Sequence, residues 1–184
     1  MRILAATLLL LSATPALPAA AQQDRTTNSE MTAIFVADQT ARENPAKIDW
    51  EVVAAADKAR RIRTLALLDS GVLDSADDFY HAAYVFQHGD DPEDFLKAHA
   101  LAVVAVARGK QEATWIAAAT LDRYLQRIGQ PQIYGTQFSR PPKQKWTQEP
   151  YRRDLLPDAV RKASGVPPLA EQDKQREDWE RRWP

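Results

Sequence analysis

Cysteine is missing from all 184 residues. Its absence excludes disulfides, thiol nucleophiles, thiolate metal sites and an N-terminal lipid-carrying cysteine, so the fold must be held by packing alone. A charge excess is missing too: 24 basic residues stand against 25 acidic ones, a formal net charge of -1. Such a balance gives no overall basic field to recruit nucleic acid or an anionic membrane. No G-x-S-x-G elbow, H-E-x-x-H helix, glycine-rich phosphate loop or dinucleotide fingerprint occurs. The apolar run Ile3–Leu11 is too short for a bilayer, which takes about 20 residues, and no later segment qualifies.

What is present begins with an export signal. A positive start at Met1 and Arg2, the apolar run, Pro15 and Pro18, and the small residues Ala19-Ala20-Ala21 together predict a secretory signal peptide over 1–21. Cleavage after Ala21 leaves Gln22 first in a periplasmic or secreted bacterial protein, with no stable membrane insertion.

Glycine is scarce, six residues in all, and its placement organises the chain. Gly71, Gly89, Gly109 and Gly129 recur about 20 residues apart, each closing a stretch of helical character, as left-handed residues just past helix ends. The start signals agree. Asp49 precedes Trp50, Ser75 with Asp78 reads as a capping box, and Asp91 precedes Pro92, Glu93 and Asp94. Helices are expected near 29–43, 47–69, 76–88, 92–108 and 110–128. Links this short make neighbours antiparallel, giving an all-α, compact bundle of helical hairpins. The two-helix period of about 40 residues, with Ala105, Gly109 and Ala113 in A-x-x-x-G-x-x-x-A order, resembles tetratricopeptide and Sel1 repeats. Two hairpins and a flanking helix fit equally well.

Beyond Gly129 the helical period stops. Four of the twelve prolines fall within 130–150, so this stretch is expected to return across the bundle as an extended segment anchored by Ile133, Tyr134, Phe138 and Trp146. A short helix near 158–164 and a strongly charged one near 168–181 follow. The chain therefore divides into a signal at 1–21, an N-terminal helix and linker at 22–46, a helical core with its polar motif at 47–137, and a basic extended segment with C-terminal helices at 138–184.

Charge alternates along the sequence. Residues 69–94 hold eight acids and no Lys or Arg, whereas 138–164 hold seven basic residues against three acids. The basic segment is expected to dock on the acidic face. The Gly89–Asp94 turn lacks the alternating ligands of an EF-hand loop. His81 and His88 lie two helical turns apart, about 10 Å, and cannot share one ion. His99 falls in line with Phe95, Ala102, Val103 and Val106, where a histidine is a core residue before it is a ligand. Neither a metal nor a cofactor is expected.

Helical projection turns other polar residues inward. Asp57 shares a face with Trp50, Val53, Thr64 and Leu68 and has Arg61 one turn away; Asp122 shares one with Trp115, Ala118, Ala119 and Gln126. Arg123 is rotated by about 100° from Asp122, so the two neighbours address different elements. A half-buried carboxylate needs donors, and the Gln132–Gln137 loop is close enough in sequence to supply them. Gln87-His88 ending one helix, Asp122-Arg123 on a later one, and the string Gln132-Ile133-Tyr134-Gly135-Thr136-Gln137 together resemble an uncharacterised family of bacterial helical proteins. That family is marked by a DR pair followed by Q-x-YGTQ. The likeness spans roughly 50–137 and brings no established activity with it. It implies that Asp57, Gln87, His88, Asp122, Arg123, Gln132, Tyr134, Gly135, Thr136 and Gln137 belong together.

Three functional readings stay open. In the first, Arg123, Gln87, Gln132, Tyr134, Gly135, Thr136 and Gln137 bind a polar small molecule or peptide, or form a structural clasp. In the second the protein is a hydrolase: His88 is a general base, Asp57 or Asp122 orients it, and Arg123 holds an anionic or carbonyl oxygen. The third is a helical scaffold taking a partner segment in a groove.

Overall fold

The computed structural model describes residues 25–183; the expected signal peptide at 1–21 lies outside the described residues. Seven α-helices and no strand are found among them: α1 (Ser29–Thr40), α2 (Trp50–Asp69), α3 (Ala76–Phe86), α4 (Pro92–Ala107), α5 (Ala113–Arg127), α6 (Asp158–Ala163) and α7 (Leu169–Arg182). A short 3-10 turn, Pro45–Lys47, links α1 to α2. The all-α architecture of antiparallel hairpins is as the glycine spacing predicts.

Local chemistry starts the helices. The Asn28 side chain accepts from the Met31 amide, Asp49 from the amides of Glu51 and Val52, and Ser75 with Asp78 forms the full capping box. Stops are more varied. Gly71, Gly109 and Gly129 have φ of 71°, 99° and 71°, the left-handed geometry expected of them. Gly89 corrects the pattern, since it is not among the positive-φ glycines. A Cβ there would collide with the Cβ of Asp94, so glycine is needed for space rather than for handedness.

The core lies where α4 packs against α3 and α5, with α1 across α3. Ala82, Ala83, Ala98, Ala102, Ala105, Ala113 and Ala119 are wholly buried there, and such small side chains let the helices approach closely around Phe86, Leu101 and Ile116. His81 belongs to this packing, stacked on Phe35 with ring centroids 4.3 Å apart. His99 donates from Nδ1 to the Ala117 carbonyl at 2.9 Å and is partly buried.

The segment after α5 is extended, as expected, with isolated bridges Gln132–Tyr151 and Ser139–Thr147. It does not dock on the acidic stretch. Arg25 and Arg108 pair with Asp74, Lys110 with Asp77, and Arg61 with Asp90 and Asp94, so local cations neutralise those acids. The basic segment instead packs with the C-terminal helices. Arg153 pairs with Asp173 at 2.7 Å, fully buried Arg161 donates to the Tyr151 hydroxyl and to backbone carbonyls, and Phe138 and Trp146 meet Trp179 of α7.

Candidate functional site

Asp122 projects from the inner face of α5 and is wholly buried, more deeply than the half-burial expected. Its Oδ1 accepts from the amides of Ile133 (2.8 Å) and Tyr134 (3.0 Å), and its Oδ2 from the amide (3.0 Å) and hydroxyl (2.8 Å) of Thr136. The loop thus wraps its N–H groups around one carboxylate, as backbone nests do around anions. Gln132, also wholly buried, staples the same loop: its Oε1 accepts from the Gln137 amide, and its Nε2 donates to the carbonyls of Gln137 and Gln148. Gly135 has φ of 82°, and a Cβ there would overlap Tyr151 and Gln172. Tyr134 takes part through its carbonyl, which accepts from Tyr151 Oη and Gln172 Nε2. Gln132, Thr136 and Gln137 thus contribute side chains, Gly135 its left-handed backbone, and Ile133 and Tyr134 backbone groups to one network.

Gln137 carries that network to the other half of the site. Its Nε2 donates to the Ala119 carbonyl and to Thr136 Oγ1, while its Oε1 accepts from Arg123 Nε at 2.9 Å. Arg123 Nη1 donates to the Gln87 carbonyl at 2.8 Å, close to the end of α3. Nη2 has no partner among the described residues. Arg123 lines a cleft of about 420 Å³ together with Arg42, Trp50, Asp57, Gln87, His88, Gly89, Phe95, Gln126 and Arg127. Asp122 and Arg123, adjacent in sequence, thus face opposite tasks. One closes the loop and the other opens onto the cleft.

Behind the cleft lies a charge network that helical projection of α2 alone missed. Asp57 pairs with Arg42 and Arg60, not with Arg61. Arg61 instead donates to the His88 carbonyl (2.6 Å) and to Asp90, tying the α3–α4 turn to α2. Asp38 of α1, wholly buried, meets Arg42 Nη1 at 3.1 Å and Arg60 Nε at 3.5 Å. Asp38 was detectable: with Met31, Ile34 and Phe35 it completes a helical stripe, and Met31 and Asp38 are the two buried residues of α1. His88 Nε2 is buried, lacks a hydrogen bond, and stands 3.5 Å from Asp38 Oδ2. Asp38 is thus the carboxylate within 4 Å of the imidazole, with Asp57 acting on it from farther off and Asp122 turned to the loop.

Burial dominates the ionisation of these groups. It raises the Asp38 carboxyl to about 6 against the pull of Arg42, the Gln39 hydrogen bond and Arg60. It lowers His88 to about 3, with Arg42 and Arg123 adding repulsion. Asp57 feels the same burial, but the hydrogen bonds and charges of Arg60 and Arg42 outweigh it and hold the carboxyl below its ordinary value. Burial, then repulsion from Arg42, makes the charged form of Arg123 less favourable.

A second cavity of about 350 Å³ lies over α4 and α5, with Val103, Val106, Ala107, Ala117 and Ala118 among its walls. No group of three or more His, Asp or Glu side chains among the described residues is placed to hold a metal, and none of their helices is long and apolar enough to cross a membrane. Comparison with protein-family models, curated proteins and solved structures finds no match.

Proposed function

We propose that this protein is exported and binds a polar small molecule or peptide in the cleft between α2, α5 and the α3–α4 turn. Gln87, His88 and Arg123 meet the ligand, and Asp122 with the Gln132–Gln137 loop is the clasp that holds Arg123 in place. The observation carrying this reading is the Arg123 guanidinium. Three of its hydrogen bonds run from Nε and Nη1 to Gln137 and Gln87, Nη2 has no hydrogen-bond partner among the described residues, and the residue lines the cleft. Around it the cleft combines apolar walls, Trp50 and Phe95, with a few convergent polar groups, the usual composition of a ligand pocket.

Ligand binding accounts for His88 better than hydrolysis does. A general base works best with a pKa near the working pH, and an imidazole lowered to about 3 is a weak one. Asp57 is engaged by two arginines, Asp122 by the loop, and Asp38, though 3.5 Å from Nε2, makes its hydrogen bonds with Gln39 and Arg42 and none with the imidazole. A neutral His88 still offers a hydrogen bond. The scaffold alternative draws on the apolar cavity over α4 and α5 instead, and Val103→Lys would block it while sparing the cleft.

The test is a thermal-shift screen of polar metabolites and short peptides. A hit should raise the melting midpoint saturably, and Trp50→Ala, which removes a side chain 64% exposed, should abolish the rise without altering the unliganded midpoint. A rise that survives Trp50→Ala and Arg123→Gln would place the ligand elsewhere and defeat the reading.

A further inference from the structure

We infer that the ligand presents a compact oxyanion, a carboxylate or a phosphate, to the Arg123 and Arg127 guanidinium groups; this rests on the cleft being a ligand site.

The charges around the cleft do not cancel. Two carboxylates, Asp38 and Asp57, face two guanidinium groups, Arg42 and Arg60. Arg61, on the same helix as Asp57, is matched by Asp90 and Asp94 of the α3–α4 turn. His88 is neutral at ordinary pH because burial suppresses its charge. That leaves Arg123 and Arg127, one helical turn apart on α5, both lining the cleft and neither within ion-pair distance of a carboxylate among the described residues. Asp122 cannot serve them, since both of its oxygens are taken by the loop.

A purely structural role for Arg123 explains only part of this. The carbonyl end of α3 offers the partial negative charge of a helix terminus, about half an elementary charge, and Gln87 and Gln137 add neutral acceptors. A neutral amide donor could serve one of these acceptors without placing a full charge in a partly buried site beside Arg42. Guanidinium groups are suited to something else, the planar two-bond recognition of carboxylate or phosphate. Arg123 lines the cleft with Nη2 not engaged by any described residue. Arg127 has its guanidinium 5.4 Å from the Phe95 ring centre, a cation–π contact that limits its freedom before any ligand arrives. An oxyanion between them would supply the missing negative charge, and Trp50 at the exposed edge of the cleft could cover the rest of the molecule.

The experiment uses matched probes in calorimetric titration of the mature chain. N-acetyl-alanine is compared with N-acetyl-alaninamide, and glucose 6-phosphate with glucose, up to about 10 mM. An anionic member should bind at least about tenfold more tightly than its neutral partner, and its affinity should fall as salt is raised. The pair that responds identifies the source, peptide carboxylate or phosphate. Arg127→Gln, an exposed substitution that gives up only the contact with Phe95, should erase most of the preference, and Arg123→Gln all of it. Equal binding within both pairs would overturn the oxyanion inference and leave the cleft standing as a polar site. Anion preference unchanged in both arginine variants would also overturn it. If no probe, charged or neutral, binds by about 10 mM, the inference fails together with the cleft reading.

Discussion

Asp122 shows what a single carboxylate does when it is removed from water and surrounded by donors. Four hydrogen bonds from three loop residues converge on it, so replacing it by asparagine removes the charge from each and turns one acceptor into a donor facing N–H groups. Asp122→Asn should therefore cost about 1 to 3 kcal/mol, measured by urea unfolding, and an unchanged midpoint would mean that the loop is held by packing alone. Asp38 and His88 make a different prediction, one about pH. The Asp38 carboxyl goes from an ordinary 3.8 up to about 6, so the folded state holds that proton more tightly, and the associated stability is present below 3.8 and lost as pH rises through about 6. His88 goes from 6.5 down to about 3, so its contribution is present above 6.5 and lost as pH falls toward 3. Between pH 4 and 6 the two slopes oppose, each at most about 1.4 kcal/mol per pH unit. Relative to the parent protein, Asp38→Asn should lose stability as pH falls through that window, and His88→Gln should lose it as pH rises. Unfolding curves at several pH values check both signs, and parallel profiles for the two variants would refute the assignment.

The helices end by two mechanisms that look alike in sequence. Gly129 has φ of 71° and nothing within 4 Å of an added Cβ, so only backbone strain opposes a side chain there. Gly89 is the reverse, a glycine outside the left-handed region with Asp94 pressed against it. Gly129→Val should cost about 1 to 2 kcal/mol, and Gly129→Asn markedly less, because asparagine tolerates the left-handed region. At Gly89 asparagine should bring no such relief, since any Cβ displaces Asp94 and with it the contact to Arg61 that ties the turn to α2. Thermal midpoints of the four variants separate strain from crowding. If asparagine rescues both positions equally, the steric account of Gly89 is wrong.

The molecule works as a rigid bundle with a polar strap. Helices α3, α4 and α5 supply a close-packed alanine-rich frame, and the extended segment is clamped to it between Asp122 on one side and Gln172 of α7 on the other. Gln172 is nearly fully buried and bonds Tyr134, Pro167, Gln148 and Tyr151. Arg123 gains its orientation from this strap through Gln137, so loosening the strap should weaken the proposed ligand binding even from a distance. Export is the prediction that concerns the chain in its setting. N-terminal sequencing of periplasmic material should begin at Gln22 or a residue close to it, and full-length protein starting at Met1 in the cytosol would contradict the signal peptide.

The helical plan was legible because its causes are local. Asn28, Asp49 and Ser75 satisfy amides two or three residues away, left-handed glycines stop a helix whatever packs nearby, and apolar periodicity reports the buried face. Asp122 and its loop were legible for a related reason: the carboxylate needed donors, and a chain turning back at Gly129 brings the nearest ones within reach. Beyond those limits only the tertiary structure decided. Asp38 meets His88 across 50 positions of sequence, and Arg42 meets Asp57 across a turn whose direction no spacing gives. Arg61 passes over the carboxylate one turn away on its own helix for two in another turn. The basic segment bonds to its own carbonyls and α7, while nearer cations pair four of the eight acids of the acidic stretch. Electrostatic partners are chosen by distance in space and by what is left unpaired, and neither quantity exists until the helices have packed.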